Sequence, residues 1–229
     1  MRGLAYDNGM NAFEARRAFA QACARISPWP LSPALSATLA TLYQTPPRHY
    51  HNLSHLIELM TLFEWVDTQR GWQQPGVVYA ALLFHDAVYR ADRSDNEAAS
   101  AALAGDLLSR EPGWQQAHQG ELVTARARVV QLINATALHG HARDTDADTG
   151  YFLDADMAIL GAPAPRFAEY QQQIAAEYQH VPEPLFRAGR RTFLQRVLAL
   201  PTIFQTELFQ QRFEAAARAN LTAALHSDA

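Results

Sequence analysis

Apolar residues recur along most of this chain at intervals of three and four, the spacing that gathers them on one face of an α-helix. Long alternating runs, with Asn-Gly or Asp-Gly hairpin turns between them, are missing, so the pattern predicts an all-α protein. A first helix is expected over 11–25 and a second from the Ser32-Pro33 cap to about Tyr43, after which Pro46-Pro47 breaks the chain. From His51 to Thr68, residues Leu53, Leu56, Ile57, Met60, Phe63 and Val66 form a broad apolar stripe. Pro75-Gly76 opens a helix expected to run through Tyr89, and its Val77–Phe84 segment is apolar on nearly every side, which places it in the interior. An Ala-rich helix over 96–109 and another over 115–137 follow, then a polar, Asp-rich loop over 139–150. Gly161 and Pro163 mark a stop after the next apolar stretch, and helices over 165–179, 183–200 and 203–224 complete the chain.

Composition narrows this reading. With 229 residues, 48% of them hydrophobic, there is ample material for one core, and without a repeat or linker the economical reading is a single domain over 1–229. A net charge of -4 argues against a dedicated nucleic-acid scaffold. All 19 cationic side chains are Arg. The single Cys23 rules out an intramolecular disulfide framework and a cysteine-built zinc site, and fits a reducing compartment. The first residues lack the apolar core of a secretion signal and no run is long enough to span a bilayer, so a cytoplasmic location and no membrane partner are expected.

Three segments carry chemistry: His51-Asn52-Leu53-Ser54-His55, Phe84-His85-Asp86, and Leu153-Asp154-Ala155-Asp156-Met157. On a helix, residues 51 and 55 leave the same face one turn apart. His85-Asp86 and Asp154 each follow an apolar run, and a carboxylate held against a core is costly unless something positive compensates it. A divalent metal ion would do so, and imidazole with carboxylate suits Zn, Mn, Fe, Co or Ni, with Mg favoured by a more carboxylate-rich position.

In order and rough spacing these segments resemble the HD-domain superfamily of metal-dependent phosphohydrolases. Arg48-His49-Tyr50-His51-Asn52-Leu53, Phe84-His85-Asp86-Ala87-Val88-Tyr89, Asp95-Asn96-Glu97 and Phe152-Leu153-Asp154-Ala155-Asp156 are similar to a bacterial group of predicted members, and the Tyr50-His51-Asn52-x-x-His55 piece to cyclic-nucleotide phosphodiesterases. The likeness implies a helical HD bundle with additional C-terminal helices. It also implies His55, His85, Asp86 and Asp156 as ligands of one or two divalent ions, with Asp86 as the bridge between two. His51 would be the acid that protonates the leaving oxygen, and His51 and Asp86 the catalytic pair. The implied reaction is metal-activated water attack on the phosphorus of a small phosphate ester or nucleotide. Two other classes share the scaffold: di-iron oxygenases, and non-catalytic modules that bind a nucleotide or a metal.

The remaining candidates follow from their neighbourhood. Glu58, three residues after His55, could orient that imidazole or be a solvated helix charge; Asp154 could support the ligands or, as the better reading, cap a helix or hold a neighbouring side chain. Arg48, Arg90 and Arg93 stand near the motifs as substrate-binding cations. His139 and His141 could supply a second metal or lie in a solvated turn. Arg187, Arg190 and Arg191 form either a phosphate-facing stripe or an ion-pair ladder with Glu183.

Overall fold

The structure is a computed structural model that describes residues 11–137 and 146–227. The described residues are all-helical, with no strand among them, and the chain divides into two compact units, 1–137 and 138–229. No low-complexity tract marks that division in the sequence.

The first unit holds α1 (Ala12–Ile26), α2 (Pro33–Leu42), α3 (Leu53–Gln69), α4 (Pro75–Phe84), α5 (Asn96–Leu108), α6 (Pro112–Ala117) and α7 (Leu122–Thr136). Its starts are written in local chemistry. Asn11 and Glu14 close a capping box on α1, and Ser32 accepts from the Leu35 N–H ahead of Pro33 on α2. The α4 helix is the centre of this unit: every residue from Val77 to Phe84 is buried, and it packs with α3, α5 and α7. It ends at Phe84 rather than at Tyr89, so His85 and Asp86 stand in the turn beyond it. The expected helix over 115–137 is two helices. Gly120, at φ 93°, adopts a left-handed conformation that a side chain resists, and the chain turns there between α6 and α7. Gly113 allows a second close approach, since a Cβ there would fall 1.8 Å from the Pro30 carbonyl oxygen.

The second unit holds α8 (Ala147–Met157), a 3-10 turn (Ala158–Gly161), α9 (Ala164–Glu177), α10 (Glu183–Leu198), α11 (Glu207–Phe209), a π turn (Gln210–Glu214) and α12 (Ala215–Ser227). Helix α8 begins inside the segment expected to be loop, because Asp146 caps it by accepting from the Thr149 N–H and hydroxyl. The connection between α10 and α11 is held by charged side chains. Arg218 donates to the carbonyls of Leu198, Leu200 and Pro201, while Glu214 accepts from the N–H groups of Ile203 and Phe204. Asn220 donates to the carbonyls of Leu160 and Ala162. These bonds satisfy backbone groups that the non-helical segments leave without helical partners.

Candidate metal centre

Two elements of the first unit build the site. Helix α3 is capped by Asn52, whose side chain accepts from the Ser54 N–H, and it buries His55 on its core face with Leu56, Leu59 and Phe63. His51 therefore precedes the helix rather than opening it, yet its ring remains 6.0 Å, centroid to centroid, from that of His55. At the end of α4, the His85 N–H still donates to the Ala81 carbonyl, and its Nδ1–H donates to the Leu82 carbonyl at 2.9 Å. That second bond places a proton on Nδ1 and turns Nε2 away from the helix.

The His85 Nε2 lies 3.2 Å from His55 Nε2 and 3.0 Å from Asp86 Oδ2, and the remaining side of the triangle, His55 Nε2 to Asp86 Oδ2, is 3.7 Å. Both imidazoles are at most 2% exposed, and the Asp86 side chain is 17% exposed. A carboxylate oxygen facing two ring nitrogens in a buried setting calls for positive charge, supplied by a proton on an imidazole or by a bound cation. The group is therefore able to bind a metal ion. The dimensions suit one: the point equidistant from the three atoms lies about 1.9 Å from each, close to the roughly 2.0–2.2 Å of zinc bonds to imidazole and carboxylate, so these three residues would hold the ion. Three protein donors leave coordination positions open.

Around the triangle stands a frame of aromatic rings. His51 stacks on Tyr89 at 4.0 Å and 27°, and Tyr50 lies 4.8 Å from the His55 ring. Tyr43, fully buried, accepts from the Asp86 N–H at 3.3 Å. Burial pushes its phenol up to about 12, with the Asp86 charge adding to the rise and His85 and Arg48 opposing it. Ser100, also buried, exchanges hydrogen bonds with the N–H and carbonyl of Val88 and so pins the backbone two residues beyond Asp86. Sequence reasoning did not single out Tyr43 or Ser100. Tyr43 reads as the last apolar position of α2 and Ser100 as one small residue in an Ala-rich helix, and only the packing reveals what they touch.

The other expected residues are placed as follows. Arg48 is half-buried, with its guanidinium donating to the carbonyls of His51, Asp86 and Ala87. Arg90 and Arg93 make two-pronged ion pairs with Asp92 and Asp95 on an exposed loop, and the Arg93 hydrogen bonds hold the Asp95 carboxyl below the usual carboxylate range. Asn96 holds the N–H and carbonyl of Arg90, while Asp95 makes no side-chain cap on α5. Glu58 is half-buried on α3. Asp154 and Asp156 belong to α8 of the second unit. There Asp154 is buried and accepts from the N–H groups of Gln205 and Thr206 and from the Thr206 hydroxyl, each at 2.7 Å, which holds the segment that leads into α11. Asp156 is half-buried in the last turn of α8. Arg187 pairs with Glu183, Arg190 donates to Gln171 and Arg191 to the Leu225 carbonyl, so each guanidinium of that stripe has a protein partner. His139 and His141 lie outside the described residues.

Comparison with protein-family models, curated proteins and solved structures finds no match to this chain. No helix among the described residues is long and apolar enough to cross a membrane.

Proposed function

We propose that this chain is a metal-dependent phosphohydrolase acting on a small phosphate ester or nucleotide. The observation that carries the reading is the convergence of His55, His85 and Asp86 on a point at bonding distance from all three, with His51 at the edge of the group. The chemistry supplied by a bound divalent cation is activation of a water and neutralisation of charge on phosphoryl oxygens. Tautomer and burial prepare the ligands: the Leu82 carbonyl holds the His85 proton on Nδ1, and α3 and α4 exclude bulk water behind both imidazoles. His51 is outside the ligand triangle and half-buried, with its orientation set by the Tyr89 ring. The role open to that imidazole is to hold a proton and pass it to the leaving oxygen of a bound ester.

A second reading is favoured by the donor set itself. Two histidines and one carboxylate with open positions are also what non-haem iron oxygenases use. The nearby imidazole of His51, which serves ester cleavage as an acid, favours hydrolysis.

The experiment loads the protein with Zn, Mn or Fe and measures phosphate release from nucleotides and phosphomonoesters, with Asp86→Ala as control. Release that falls at least about 100-fold in the control is expected, since loss of a ligand removes the metal's contribution. Metal-replete protein that cleaves none of the panel would reduce the function to a binding module, and oxygen consumption by the iron form would support the oxygenase. Asp156→Asn, measured for metal affinity in parallel, tests the one ligand that comes from the resemblance alone.

A further inference from the structure

Arg48, expected as a substrate-binding cation, has its guanidinium on three backbone carbonyls. One terminal nitrogen donates to the His51 carbonyl at 2.8 Å and the Asp86 carbonyl at 2.7 Å; the other donates to the Ala87 carbonyl at 3.0 Å. The planar group also lies 5.1 Å from the Tyr43 ring centroid and 5.7 Å from that of Tyr89. Residues 86 and 87 lie just past the end of α4, where carbonyls lose their helical partners and the helix dipole favours a cation. One side chain thus joins the turn that presents His51 to the turn that presents Asp86.

We propose that Arg48 is the positioning residue of the centre: it sets where the His51 ring and the Asp86 carboxylate stand relative to each other, and it does so through backbone carbonyls. This rests on the metal-centre reading above. Its logic is geometric. The Asp86 backbone is gripped on both sides, by the Tyr43 hydroxyl at its N–H and by Arg48 at its carbonyl, which sets where its Cα–Cβ bond points. The His51 carbonyl is held by the same guanidinium nitrogen, and the His51 ring stacks on Tyr89, one of the two rings flanking Arg48. Lysine retains the charge but lacks the planar fork that reaches three carbonyls within cation–π distance of two rings.

The test compares the full-length wild type with Arg48→Lys and Arg48→Ala. Two quantities are read: cobalt(II) affinity with the visible spectrum of the bound ion, and, without metal, the proton shifts of the His51 ring, displaced by the stacked Tyr89. Thermal melting shows that each variant is folded. Both variants are expected to bind cobalt about 10- to 100-fold more weakly, as when groups that orient ligands are removed. Their cobalt spectra should be altered and their His51 ring shifts should move toward unstacked values. Guanidinium added to Arg48→Ala well below denaturing concentration should restore both readouts, which a general loss of packing would not allow. Wild-type affinity, spectrum and ring shifts in both variants would overturn the proposal. A wild type that binds no cobalt, with ring shifts that still depend on Arg48, would instead sink the metal reading and leave Arg48 as the organiser of the two turns.

Discussion

At the scale of single residues, the site depends on one proton. The Leu82 carbonyl holds it on Nδ1 of His85, which leaves Nε2 to face Asp86 in a group able to hold a metal ion. Asp86→Asn keeps the shape and removes the charge, so zinc or manganese affinity should fall at least about 100-fold in competition with a chelator. Affinity within threefold of wild type would mean that the carboxylate is not a ligand. Asp154 has a different task. It satisfies three donors in a buried setting, and Asp154→Ala should cost about 2–5 kcal/mol, read as a lower urea midpoint, because those donors lose their charged acceptor. That the His51–His55, His85–Asp86 and Asp154–Asp156 segments could together supply imidazoles and carboxylates to a metal was legible from residue type and apolar context, while the set His55, His85, Asp86 and Asp156 came from the resemblance, and the structure groups the first three. What Arg48 grips was not legible, because its partners at 86 and 87 are 38 and 39 positions away.

At the scale of elements, periodicity reads well and local exceptions read poorly. Helices α1 to α4 follow from caps, prolines and apolar stripes written within a few residues of one another, and α5 from its run of alanines. The end of α4 and the break before α7 depend instead on conformations that apolar spacing does not encode, the turn at 85–88 and the positive φ of Gly120. The π turn at 210–214 similarly accompanies the close approach of Gly161, where a Cβ would fall 2.6 Å from the Phe213 carbonyl oxygen. Glycines therefore divide by surroundings. Gly105→Ala, within α5 and with nothing near the added carbon, should stabilise by about 0.5–1 kcal/mol from helix propensity. Gly113→Ala should destabilise by about 1–3 kcal/mol or more, since backbone must shift away from Pro30. Equal effects in urea denaturation would show that the α6 contact is looser than described.

For the molecule as a whole, the prediction concerns pH. Cys23, pushed up to about 11, Tyr43, pushed up to about 12, and Tyr79, raised further, are all raised chiefly by burial in the first unit. A neutral acid whose pKa is higher folded than unfolded contributes stability that is complete below its unfolded value and lost as pH rises through its folded value. The urea midpoint of the first unit should thus decline from about pH 9 upward, with alkylation of Cys23 in native protein slow until it does. A midpoint that is flat through pH 11 would contradict the burial of these groups. All-helical architecture was legible from the sequence; the division of the chain at residue 137 was not, since a polar, Asp-rich stretch over 139–150 reads equally as a loop within one domain.

The central claim is a cation held by two imidazoles and one carboxylate, and anomalous diffraction from crystals of manganese- or zinc-loaded protein tests it most directly. The account predicts a metal peak roughly 2.0–2.2 Å from Nε2 of His55, Nε2 of His85 and the Asp86 carboxylate. Metal-loaded crystals whose anomalous density lies away from these three atoms would contradict it.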